Sequence, residues 1–285
     1  TINPRIFNAQ TKVNWGAYMF VQEIPETEAP RFDLLDDSNT DAAIYLSVLP
    51  TAGFDAITRA DLVALVRRCA HLNSAGRDVF LRFAPDMNTP KDWYPWGQQP
   101  NKFLYHWKML REILKSVPGA DRTALVWAPH DGTLYPYDSK NQKGDDFICL
   151  DTNKDGKLDQ YDDPYSPYFP GKDNVDWVGL STFFAADRYP ATTNFKPPSK
   201  FLNNVLTGAT RPSNSNFYYV YSETFHLPMM ISDIGASFYT QADSDLTPLT
   251  GDSELEIKSM FWRQWLTDSV FHQKFPRIKF FCVSE

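Results

Sequence analysis

Two aspartates each follow a short apolar run: Asp86 in RFAPDMN and Asp233 in PMMISDIGAS. Two carboxyl groups on rigid supports are what glycosidic hydrolysis needs, one to protonate the leaving oxygen and one to attack or to activate water. Directly after the first comes WYPWG, which places Trp93, Tyr94 and Trp96 within one loop. Such rings are stacking platforms for sugar faces or filling for a packed loop, and the residue types admit both. Arg82 lies four residues before Asp86 and therefore on the same strand face; a buried arginine there requires a partner. Asn88 suits a sugar hydroxyl or a turn cap. Trp127 suits the floor of a cleft or the filling of its mouth. His130 and Asp131 suit a polar subsite wall or a surface loop. Glu223 and Glu285 are spare carboxylates.

A second constellation is DTNKDGKLDQYDD. Asp151, Asn153, Asp155, Asp159 and Asp162 carry side-chain oxygens at the spacing of an EF-hand calcium loop, with Gly156 at the sharp turn and a backbone carbonyl expected from Lys157. Aspartate rather than glutamate closes it, and Pro164 and Pro167 follow too soon for a flanking helix. The expectation is a structural Ca²⁺ site that stiffens an insertion at about 145–172. The alternative is a solvated acidic loop.

These residues need supports. Seven apolar runs recur at 15–21, 42–49, 78–84, 124–129, 175–181, 228–233 and 277–283. They lack strict alternation, the mark of strands covered on both faces, as in parallel sheets. Helical patterns lie between several of them, at 61–75, 102–117 and 254–268. The first has Thr58 and Asp61 placed as a capping box and Gly76 as a stop. Alternating strands and helices predict an α/β fold, either a (β/α)8 barrel or a doubly wound sheet. No glycine-rich nucleotide loop follows any run. The interesting polar residues, Asp86, His130, Asp131 and Asp233, fall just past the C-terminal ends of runs, where a barrel keeps its active site. The expectation is one barrel domain over 1–285, incomplete at its N- and C-terminal ends because only seven runs are present.

Composition narrows the partners. The net charge of −7 with no basic run argues against nucleic acid, and no apolar stretch approaches the ~18 residues of a membrane span. Aromatic residues make up 15% of the chain, enough to supply both a core and a ring-lined cleft. Cys69, Cys149 and Cys282 show no metal spacing; Cys69 and Cys282 are expected as buried thiols.

Taken in order, GFDAITRADL, GRDVFLRFAPDMN, WYPWGQQP, ALVWAP, DDPYSPYFPG, VDWVGLS, PMMISDIGA and IKFFCVSE resemble glycoside hydrolase family 26, most closely its fungal relatives. The resemblance covers most of the chain. It implies a secreted (β/α)8 enzyme hydrolysing β-mannans, or in some members β-glucans or xylans, with retention. It implies an acid/base at Asp86, a nucleophile at Asp233, and a role for Arg82 in supporting the nucleophile. Three departures stand out: both catalytic glutamates of the family are aspartates here, Phe183 stands at the place of a tyrosine that bonds the nucleophile, and Pro85 replaces a histidine. Each aspartate is shorter than glutamate by one carbon–carbon bond, ~1.5 Å. Retaining pairs sit about 5–5.5 Å apart and inverting pairs about 6.5–9.5 Å. The substitutions therefore leave three expectations open: a retaining enzyme with an adjusted backbone, an inverting enzyme, or a relative that only binds polysaccharide or serves at the cell surface.

Overall fold

Each apolar run becomes a strand in the computed structural model, which describes residues 3–38, 40–141, 143–185, 193–213, 215–241 and 248–284. The strands are β1 (Ala17–Glu23), β2 (Ala43–Leu49), β3 (Val79–Phe83), β4 (Thr123–Trp127), β5 (Trp177–Phe184), β6 (Met229–Ala236) and β7 (Ile278–Val283). The helices are α1 (Pro4–Thr11), α2 (Arg59–Ser74), α3 (Pro100–Ser116), α4 (Asp145–Leu150), α5 (Phe201–Thr207), α6 (Glu254–Trp262) and α7 (Ser269–Lys274). Strands adjacent in sequence are adjacent in the sheet. The α/β reading with parallel strands in chain order is borne out. Seven strands, not eight, are present among the described residues.

Local chemistry accounts for the helix starts. The Thr58 hydroxyl accepts the Asp61 N–H while the Asp61 carboxylate accepts the Thr58 N–H, closing the expected capping box. A second box, Ser253 with Glu256 in the run SELE, starts α6. α3 opens on Pro100, whose missing N–H has no partner to lose at a helix start.

The chain groups into two compact units. The first comprises residues 1–130 and 135–178 and contains the 145–172 insertion. Its β1, β2, β3, β4 and the first two residues of β5 pair in parallel, in that order. Tyr45, Leu46, Phe83, Trp107 and Trp127 are fully enclosed there. β2 is buried at five consecutive positions, as the unbroken apolar run requires, whereas β1 alternates, with Phe20 and Gln22 inside and Met19 and Val21 outside. The second unit comprises residues 131–134 and 179–285, with the rest of β5, then β6 and β7. Leu180, Met230, Ile231, Leu206 and Phe217 form its interior.

No helix among the described residues is long and apolar enough to cross a membrane. Cys69 is buried as expected, whereas Cys282, also expected inside, is only half-buried in β7. Burial pushes the Cys69 thiol up to about 12, so it holds almost no nucleophilic thiolate near neutrality. Cys149 is exposed. Titration with a chromogenic disulfide at pH 8 is expected to find Cys149 reacting fast and Cys69 only on unfolding. A fast Cys69 would contradict the packing of α2.

Candidate active site

In the first unit, β3 ends at Phe83 and the chain turns sharply. Ala84 (φ +48°) and Asp86 (φ +55°) both adopt the left-handed region, which costs an L-residue roughly 1–2 kcal/mol. Neighbouring backbone holds them there. Ala84 N–H donates to Val48 O at 2.9 Å and Asp86 N–H to Ala128 O at 3.2 Å, tying the turn to the ends of β2 and β4. Trp96 Nε1 donates to Pro85 O at 2.7 Å, and the Thr89 hydroxyl to Asp86 O at 2.8 Å. These bonds keep the turn in its strained conformation.

The Asp86 carboxylate receives Arg82 Nη2 at 2.8 Å, in a pair whose side chains are 11% and 3% exposed. The same-face geometry expected of positions 82 and 86 is thus realised as an ion pair with Asp86 itself.

Several residues expected to meet a ligand are packing and clamping groups instead. Asn88 is fully buried, and its amide is used up on one backbone position: Nδ2 donates to His130 O and Oδ1 accepts from His130 N–H, each at 2.9 Å. It links the loop after β3 to the loop after β4 and offers no face to a sugar. Trp96 is 2% exposed and stacks on Tyr94 at 4.8 Å, so it anchors the loop from beneath. Gly97 permits that fold, since a Cβ there would stand 2.2 Å from Thr89 O. Trp127 is enclosed and meets Phe169 edge-on, which makes it filling and not floor. Trp93 remains as the outward ring, 54% exposed and 5.4 Å from the Tyr137 ring. His130 is half-buried, with Nδ1 3.3 Å from the Tyr137 hydroxyl. Sequence reasoning missed Tyr137, whose φ of +59° gives no signal in a run of ordinary residues.

In the second unit, Asp233 lies inside β6, three residues before its end, and not just past it as expected. It is the one position of β6 that is not buried. Between Ile231 and Ile234 the strand takes three steps while β7 takes two, from Phe281 to Val283. An extra residue of this kind bends a strand and re-aims a side chain. Phe183 is 40% exposed and sits over Gly235, where a Cβ would meet its ring at 3.2 Å. Asp131 is buried: its N–H donates to Ser181 O at 2.8 Å and its Oδ1 accepts Thr133 N–H at 2.9 Å, so it shapes a turn and forms no open wall. Of the spare carboxylates, Glu223 is exposed on the 218–223 helical turn, and Glu285 lies outside the described residues.

The acidic loop of the first unit has Gly156 at φ +83°, as an EF-hand turn requires. Its carboxylates, however, are turned to the loop's own backbone. Asp151 accepts Asp155 N–H and Gly156 N–H, Asn153 accepts Asp155 N–H, Asp155 accepts Lys157 N–H, and Asp159 accepts Tyr161 N–H, at 2.8–3.1 Å. Asp162 is wholly buried. Its Oδ1 takes Thr152 N–H, the Thr152 hydroxyl and Asn153 N–H, and its Oδ2 takes Asp159 N–H. Among the described residues no three acidic, imidazole or thiol side chains gather as a metal site. These hydrogen bonds to Asp151 and Asp162 hold the loop in its sharp turn. Asp162→Ala should therefore destabilise the chain by about 3 kcal/mol in urea unfolding, since several buried donors lose a charged acceptor. If the loop takes the ion, millimolar calcium should raise the wild-type melting temperature by several degrees. No rise would count against the site.

No family model matches the sequence, and no curated protein matches it. Solved structures do. The catalytic domain of a family 26 endo-β-1,4-mannanase from Bacillus sp. JAMB-750 is similar at TM-score 0.51 and 12% identity, over 88% of this chain and 58% of that one. A modular endo-β-1,4-mannanase from Cellulomonas fimi gives 0.55 and 14%, over 93% and 57%. A Bacillus subtilis mannanase gives 0.53 and 14%, over 99% and 74%. The chain thus spans less than three-fifths of the first two. What it shares with these mannanases, at such identity, is the fold: parallel strands in chain order with helices between them.

Proposed function

We propose that this chain is a secreted glycoside hydrolase acting on a β-linked polysaccharide of the β-mannan type, with Asp86 as general acid/base and Asp233 as nucleophile. The observation that carries it is how each carboxylate is presented. Asp86 stands on an enforced left-handed turn after β3, and Asp233 is the sole unburied position of β6, beside an inserted residue. Likeness in fold to endo-β-1,4-mannanases supports the reading, as do the motifs that suggest a fungal member of family 26. Trp93 is the ring available for sugar stacking. A structural calcium ion at 151–162 belongs to the same proposal, from the spacing of Asp151, Asn153, Asp155, Asp159 and Asp162, and the titration above tests it.

One observation favours a second reading. Asp86 is already engaged by Arg82, and both carboxylates are one bond shorter than the family's glutamates; a relative that binds polysaccharide without cutting it would tolerate both. Incubation with mannan, mixed-linkage glucan, xylan and laminarin, followed by a reducing-end assay, separates the two. The hydrolase is expected to release new ends from mannan. No product from any polymer, with retained mobility shift in a polysaccharide gel, would leave the binding reading.

A further inference from the structure

In the first unit, the loop after β3 is gripped by one buried glutamine. Gln98 is 2% exposed and sits at φ +46°, in the left-handed region. Its backbone N–H donates to Met87 O at 2.8 Å. Its side-chain Nε2 donates to Asn88 O at 3.4 Å and to Pro136 O at 3.3 Å, while its Oε1 accepts the Ser139 hydroxyl. Its carbonyl takes Asn141 Nδ2 at 3.2 Å. Both amide donors and both carbonyl oxygens of the residue are thus engaged within the protein. We propose that Gln98 is a positioning residue for Asp86, acting through the backbone of the loop and not on the substrate. The inference rests on the hydrolase reading above, which gives Asp86 its task, and adds a residue that reading does not use.

The two residues that follow Asp86 are the ones Gln98 holds: Met87 O takes its backbone N–H and Asn88 O its amide. On the other side of Asp86, Pro85 O takes the indole N–H of Trp96, two residues before Gln98, at 2.7 Å. Residues 96–98 therefore clasp the backbone of the aspartate from before and after. The same amide reaches Pro136 O and Ser139, so the clasp extends to the segment 136–141. That segment is braced in turn, with Ser139 N–H donating to Pro136 O and Asn141 N–H to Ser139 Oγ, each at 3.1 Å. Asn88 makes the parallel link to His130. Two buried amides join the loop that carries Asp86 to the stretch after β4.

Bonds that keep the Asp86 backbone at φ +55° also fix where its carboxylate stands. A general acid must lie within hydrogen-bond reach of the oxygen it protonates, and displacement by ~1 Å can cost about a hundredfold. Removal of the Gln98 amide strips Asn88 O and Pro136 O of a donor and the Ser139 hydroxyl of an acceptor. The relaxation that follows falls on the loop of Asp86, in the first unit, whereas Asp233 belongs to the second. Protonation of the leaving group is then the step that suffers. Plain loss of fold, by contrast, slows every substrate alike.

The test compares the wild type, Gln98→Met and Gln98→Glu on mannopentaose and on dinitrophenyl β-mannobioside, whose leaving group departs without a proton, with thermal midpoints alongside. Methionine keeps the length of the side chain and removes its amide. Gln98→Met is expected to lower kcat/KM on mannopentaose by about ten- to a hundredfold, and on the aryl mannobioside by less than about threefold. Glutamate keeps the shape, yet as a carboxylate it has no proton for Asn88 O or Pro136 O. Burial against carbonyls raises the pKa of such a group. Gln98→Glu should therefore regain activity on mannopentaose, relative to the wild type, as the pH falls and the acid donates again. Equal losses on the two substrates, or no loss on either, overturn the inference while the hydrolase reading stands. Failure of both variants to fold makes Gln98 a folding residue and overturns it too. A wild type that cuts neither substrate overturns the hydrolase reading, and the positioning role goes with it.

Discussion

Asp233→Asn is expected to cut release of reducing ends from β-mannan by on the order of 10⁴-fold or more, as loss of a nucleophile does, while the melting temperature barely moves. An amide fills the same space but cannot attack the anomeric carbon. Because Asp233 is half-buried in a strand that is otherwise closed, the swap disturbs little packing. Asp86→Asn should cost about 10²–10⁴-fold on the polymer, the usual contribution of general acid–base catalysis. It should cost much less on an aryl glycoside whose leaving group departs without a proton. The two variants therefore differ in leaving-group dependence, which a merely structural role would not produce. Full activity in Asp233→Asn would remove the proposed nucleophile. The anomer first released by the wild type, read by NMR, then reports whether the short side chains retain or invert.

Arg82→Leu should destabilise the first unit by about 3–5 kcal/mol, measured by urea unfolding, because it removes the guanidinium that pairs with a buried carboxylate. Both partners are nearly enclosed, at 3% and 11% side-chain exposure, with nitrogen and oxygen 2.8 Å apart. Asp86→Asn should cost less than Arg82→Leu, since an amide oxygen still accepts the guanidinium N–H. The double variant Arg82→Leu/Asp86→Leu should recover part of the loss, because removing both charges ends the desolvation penalty that one alone suffers. A negligible effect of Arg82→Leu would mean that the pair does not form in solution. Hydrolysis by that variant is a second readout: an Asp86 no longer held by Arg82 should act less efficiently even where the fold survives, because misplacement by ~1 Å can cost about a hundredfold.

The sequence by itself determined the strands, the order in which they follow, the start of α2 and the strand-end settings of the two aspartates. Those signals are local: a run of β-branched and aromatic residues, or a threonine three places before an aspartate, acts on its own backbone whatever surrounds it. Only the tertiary structure decided what each polar or aromatic side chain faces. Trp96 reads as a platform until Pro85 O, eleven residues away, takes its indole N–H. Asn88 reads as a sugar contact until His130, forty-two residues away, takes both ends of its amide. The EF-like spacing of 151–162 is visible as text, yet whether Asp162 turns to an ion or to backbone donors depends on how the whole loop folds. Likewise the left-handed Asp86 and the extra residue beside Asp233 exist because neighbouring strands fix the backbone around them. Burial and aim arise from partners distant in sequence, and periodicity along the chain carries no record of them.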